Sequence, residues 1–119
     1  MQTTKQKGDN GELIAIKYLK SKGFEICDTN FKFGRFGEID IIAEKEGFFY
    51  FFEVKYRENT KFGTPEDSIT KQKLKKFKKT IEFYVLQNKL DFEKIFFEVI
   101  TILKQKNSYK LTHYKNLEI

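Results

Sequence analysis

The stretch that most restricts this chain is Phe48 to Lys55, Phe-Phe-Tyr-Phe-Phe-Glu-Val-Lys. As a strand it places Phe49 and Phe51 on one face with Glu53 and Lys55, and Phe48, Tyr50, Phe52 and Val54 on the other. A strand that is apolar on both sides belongs in the middle of a sheet covered twice, which points to an α/β architecture rather than a one-sided antiparallel sheet. The two charges that close the run then need an explanation, because burial of unpaired charge is costly.

The flanking segments supply the covering layers. Residues 3–22 read as a helix, with Thr3 as N-cap, Gln6 in capping-box position and Gly23 as terminator. Glu12, Ala15, Ile16 and Leu19 share one helical face, with Gly8 and Gly11 beside it, a stripe suited to close packing against a sheet. Strands are expected at Phe24–Thr29, Glu38–Ala43 and Phe48–Tyr56, the last two joined through a tight polar turn at Glu44–Gly47. Arg57–Thr64 reads as an exposed loop and Thr64-Pro65 as a helix start, after which Ile69, Leu74, Phe77, Ile81, Tyr84 and Val85 recur at helical spacing to about Asn88. Strands at Ile95–Leu103 and Tyr109–Tyr114, with a turn near Lys106–Ser108, complete the order αβββαββ. The long crossover lets the third and fourth strands run parallel, giving a mixed central sheet flanked by helices. In such sheets ligands collect beyond the carboxyl end of a strand that precedes a crossover, where Lys55 and Arg57 fall.

The length of 119 residues fits one domain, residues 1–119. A net charge of +6 suggests an acidic partner. The longest apolar run, Phe48–Phe52, is far shorter than the roughly 20 residues of a spanning helix, and Met1–Glu12 has no signal-peptide core, so a cytoplasmic protein with no membrane partner is expected. One Cys and one His cannot furnish a zinc site from soft ligands, so any metal would be held by oxygen. Cys27 is expected as a small core or strand residue and His113 at a surface or edge.

Strand alternation sets Glu38 and Asp40 on one face and Ile39 and Ile41 on the other. If the turn sets Ala43 opposite Phe48, Asp40 lies opposite Phe51 and diagonal to Glu53, with Cα atoms about 7 to 8 Å apart or less. A one-residue slip would separate the two carboxylates. Their mutual repulsion on a buried face is relieved by a hard cation such as Mg²⁺, which takes one or two carboxylates plus waters and phosphates. Lys55, on the Glu53 face, is placed to orient a water or offset charge on phosphate, and Glu12 can add a third carboxylate. This constellation reads as a metal-assisted phosphodiester hydrolase.

In order along the chain, Gly11-Glu12, Gly37-Glu38-Ile39-Asp40, Glu53-Val54-Lys55, Arg57, Phe62-Gly63 and Lys73 resemble the motifs of the YraN-like family of endonuclease-like proteins. That family is grouped with the PD-(D/E)XK nucleases, near archaeal Holliday junction resolvases. The resemblance covers about Gly8 to Val85 and implies a restriction-endonuclease-like αβββαβ core. It implies Asp40, Glu53 and Glu12 around Mg²⁺ or Mn²⁺, with Lys55 as the catalytic lysine. Ile39 stands where the superfamily pattern has proline, a conformational role.

Most of the Lys71–Lys79 run reads as the wet face of its helix. Lys73, with Lys76 and Arg57, is the expected DNA contact. With 21 Lys against 2 Arg, phosphate contact is favoured over base reading. The expectation is a metal-dependent endonuclease acting on DNA, branched or distorted structures among its substrates, and by analogy working as a homodimer. The alternative is a nucleic-acid-binding module that keeps the fold without hydrolysis.

Overall fold

The computed structural model describes residues 4–118, with side chains from residue 10 onward. Thr3, an expected cap, lies outside the described residues, and so do the side chain of Gln6 and the packing around Gly8. The elements are α1 (Thr4–Ser21), β1 (Glu25–Phe33), β2 (Gly37–Lys45), β3 (Phe48–Arg57), α2 (Lys71–Gln87), β4 (Ile95–Lys104) and β5 (Tyr109–Leu117), with short 3-10 turns at Pro65–Ser68 and Phe92–Lys94. The five strands form one sheet in sequential order. β3 and β4 are parallel and every other pair is antiparallel. Among the described residues no helix is long and apolar enough to cross a membrane.

Both faces of the sheet are covered. On one, Phe51, Ile42, Ile39, Phe97 and Val99 pack against Phe77, Ile81 and Val85 of α2. On the other, Phe52, Ile41, Ala43, Ile100 and Ile102 pack against Ala15 and Leu19 of α1. Helix α1 ends as its glycine requires: Gly23 has φ 91°, its N–H reaches the Lys20 carbonyl at 3.1 Å, and the Phe24 N–H reaches Leu19 at 3.0 Å. This Schellman closure converts Phe24 from a strand residue into the apolar clasp after the helix.

Gly11 meets β3 at the closest approach of α1 to the sheet, where an added Cβ would lie 2.8 Å from Tyr56 Cβ. Gly11→Val is therefore expected to lift α1 and cost about 1–3 kcal/mol, read from urea denaturation. A variant as stable as the parent would show that the helix is not pinned there.

Four expectations need correction. The β2–β3 hairpin turns on Glu46 and Gly47, both at positive φ, so Lys45 opposes Phe48. The slide from the expected pairing is two residues, and an even shift keeps every side chain on its face. The second helical segment is broken rather than continuous from Thr64: the 3-10 turn ends at Ser68, Ile69 and Thr70 are extended, and Thr70 Oγ1 accepts the Lys73 N–H at 3.2 Å to start α2. Third, Ile39 and Ile41 do not share a face. Ile39 joins the α2 core and Ile41 the α1 core, so the alternation slips at Asp40. Asn30, which falls opposite Asp40 between the pairs Thr29–Ile41 and Phe31–Ile39, takes φ 53°, a conformation asparagine tolerates. Fourth, His113 lies on the edge strand β5 as expected but is not at the surface: its side chain is 7% exposed, with Nε2 2.7 Å from Glu98 Oε1 and Nδ1 2.8 Å from the Tyr18 hydroxyl. Cys27 is an exposed strand residue at the β1 irregularity.

Candidate active site

The slip at Asp40 opens the sheet. The β2–β3 ladder runs from Lys45–Phe48 to Ile41–Phe52, and just beyond it the Val54 N–H donates to Asp40 Oδ2 at 2.8 Å. A carboxylate thus occupies the gap between two separating strands, held by a backbone donor. Glu53 lies close to it and is only 4% exposed. Lys55 Nζ is 3.1 Å from Glu53 Oε1 and remains 27% exposed at its side chain.

Burial is the main cause that pushes the Glu53 carboxyl up from its ordinary value of 4.5 to about 9, with the charge of Asp40 adding to it and Lys55 opposing. At neutral pH the pair therefore retains a proton that an exposed carboxyl would release. Nothing in the folding of a sheet calls for this arrangement. An apolar residue at position 53 would cover Val99, its neighbour on β4, without the desolvation cost.

Two adjoining clefts meet at these three residues. The larger, about 490 Å³, is lined by Glu12, Asp40, Glu53, Lys55, Arg57 and Phe62, among others. The second, about 330 Å³, adds Glu38, Lys73 and Lys76. Glu12 comes from the α1 side of the sheet and the two lysines from the α2 side, so the strand separation at Asp40 is what lets both layers face one opening. Glu12 Oε2 accepts from Asn30 Nδ2 at 3.1 Å, so it is tied to the residue whose left-handed turn accompanies the slip. All seven residues singled out from the sequence, Glu12, Asp40, Glu53, Lys55, Arg57, Lys73 and Lys76, line these two adjoining clefts. Among the described residues no group of three His, Cys, Asp or Glu side chains converges closely enough to hold a metal on its own. Asp40 and Glu53 form the close pair, and Glu12 stands at the rim.

Phe62 also stands in the cleft wall, a position that its place in the Phe62-Gly63 motif does not reveal. The available signal was a lone aromatic residue inside the polar loop between β3 and the 3-10 turn.

A family model described as uncharacterised protein family UPF0102 matches residues 11–102, which contain every groove residue named above. The chain belongs to this family. It is the YraN-like group to which the ordered motifs pointed. Among its relatives, the UPF0102 protein of Clostridioides difficile is 44% identical over 98 residues, covering 82% of this chain and 85% of its own. That of Persephonella marina is 39% identical over 110 residues, covering 92% and 90%. The Flavobacterium psychrophilum protein is 37% identical over 109 residues, covering 92% and 90%.

Proposed function

We propose that the chain is a metal-dependent endonuclease of the PD-(D/E)XK type, with a restriction-endonuclease-like core, that hydrolyses phosphodiester bonds in DNA. The observation that carries this reading is the setting of Glu53: a buried acid beside a second carboxylate and 3.1 Å from an ammonium group, all at the wall of an open groove. A perturbed acid that faces a cleft is a candidate for chemistry.

The donor set suits Mg²⁺ or Mn²⁺, which need only one or two protein carboxylates when water and substrate phosphate complete the shell. Asp40 and Glu53 would hold the ion, which in such sites acidifies water and offsets charge on phosphate. The Val54 N–H holds Asp40 in place. Lys55 reaches from the Glu53 face to orient water or balance charge on the scissile phosphate. Glu12 can receive a hydrogen bond from a water at the rim. Arg57 on one side, and Lys73 and Lys76 on the other, hold phosphates flanking the cut, and lysine heads select backbone rather than base.

A second reading, a nucleic-acid-binding module without hydrolysis, draws support from the convergence of two carboxylates rather than three. One experiment separates them. The protein is incubated with linear, nicked, flapped and four-way DNA with and without Mn²⁺, beside Asp40→Asn, and Mn²⁺ binding is followed by calorimetry. The nuclease reading expects cleavage by the parent alone and loss of the Mn²⁺ heat in the variant. Binding of DNA with no Mn²⁺ heat and no cutting would establish the binding module instead.

A further inference from the structure

Phe62 is 86% exposed, more than any other large apolar side chain described, and no aromatic ring lies against it among the described residues. It borders the larger cleft together with Arg57, Asn59 and the Asp40–Glu53 pair. The backbone beneath it is nonetheless held. The Lys61 N–H donates to Asn59 Oδ1 at 2.9 Å, the Gly63 N–H to the Thr60 carbonyl at 3.1 Å, and the Thr64 N–H to Asp67 Oδ2 at 2.8 Å. Gly63 takes φ 111°, and a Cβ there would come within 2.8 Å of Asp67 Oδ2, so the turn depends on glycine. The result is a phenyl ring presented to water on a braced loop.

The other conspicuous exposed ring behaves differently. Phe36 rests against Phe33, with centroids 5.3 Å apart, and Phe33 stacks on Phe83 at 3.9 Å, so Phe36 is the outer edge of a packed series. Phe62 adds nothing comparable to folding. An apolar face kept wet at the rim of a groove, beside cations that suit phosphate, matches the face of a nucleobase. Stacking of that kind ignores base identity, and it requires a base that is not already stacked inside a duplex.

We propose that Phe62 stacks on an unpaired base beside a phosphate held by Arg57, and thereby directs the protein to DNA carrying an unpaired nucleotide within or at the end of a duplex. A continuous duplex offers the ring no face, so Phe62 sets a preference that phosphate contacts alone cannot supply. This inference rests on the nucleic-acid reading of the groove and adds the substrate feature that the groove selects.

The test uses the full chain without divalent ion, titrated into a hairpin duplex bearing one unpaired 2-aminopurine and into the fully paired control. Parent and Phe62→Trp are expected to quench the 2-aminopurine. Phe62→Ala is expected to leave it bright and to bind the unpaired site roughly 5- to 100-fold more weakly, with affinity for the paired control unchanged. Equal weakening on both DNAs, or no quenching by the parent, overturns the stacking role. So does a Phe62→Ala protein whose lost affinity accompanies dissociation of a dimer in light scattering, which would make the ring a contact between copies. Mn²⁺ is then added to the same DNA, with Asp40→Asn alongside. Phe62-dependent quenching without Asp40-dependent cutting keeps the stacking and removes the nuclease. Cutting that is indifferent to Phe62→Ala does the reverse.

Discussion

Glu53→Gln is expected to reduce divalent-ion-stimulated cleavage by roughly a hundredfold to a thousandfold while making the metal-free protein more stable at alkaline pH. Both effects have one cause. In the folded chain the Glu53 carboxyl titrates near 9, chiefly because it is buried, against an ordinary 4.5 when the chain unfolds. Between these values the folded state keeps a proton that the unfolded state has released. Stability falls with rising pH wherever the native state binds more protons, so this group's contribution is complete below about pH 4.5 and is lost as pH climbs through about 9.

Glutamine has the same shape, keeps a donor toward Asp40 and has no proton to lose. Urea denaturation at several pH values should show a declining parent and a flatter variant, with the variant ahead at pH 8 to 9. Metal binding to the parent must displace that proton, so calorimetry in buffers of different ionisation heat should report proton release, and affinity should rise toward pH 9. A Gln variant that cuts at the parental rate, or that shares the parental pH slope, would contradict this account of Glu53.

Phe51→Ala and Phe52→Ala are each expected to cost about 3–5 kcal/mol, a large share of the roughly 5–15 kcal/mol that holds a domain of this size together. The two rings are adjacent in sequence and both are fully buried, but in different cores. Phe51 lies among Phe77, Ile81 and Val85, with Tyr84 edge-on at 5.6 Å. Phe52 lies among Ala15, Leu19 and Ile41, with Phe24 edge-on at 5.6 Å. Removal of either leaves a cavity that neighbouring elements cannot fill without moving a helix. Unfolding midpoints followed by circular dichroism will check this. If one substitution costs less than about 1 kcal/mol while the other costs the expected amount, the sheet is packed on a single face.

Much of this arrangement was legible before any coordinates. The doubly apolar Phe48–Phe52 run announced a central strand, and β3 indeed has neighbours on both sides and a helix over each face. The helical stripes of Ala15 and Leu19 and of Phe77, Ile81 and Val85 named the two covering faces correctly. Gly11 beside the stripe points to close approach, and the helix does come closest to Tyr56 of β3 there. Strand ends were less legible. β1 runs on to Phe33 because pairing with Gly37 and Glu38 holds it, a partnership that local preference does not express. The edge position of His113 is legible, but its burial is not, because its partners Tyr18 and Glu98 are far away along the chain.

What the residues alone determined is the layer order, the parallel crossover, and the grouping of Asp40, Glu53 and Lys55 near one end of β3. These follow from periodicity and turn chemistry, which act over a few neighbours. What only the tertiary structure decided is how those groups share one opening. Regular alternation would have kept α1 and its Glu12 on the far side of a closed sheet. The left-handed Asn30, the change of face at Asp40 and the end of the β2–β3 ladder part the strands there. That separation depends on the pairing of three strands at once, an energy that no single segment carries.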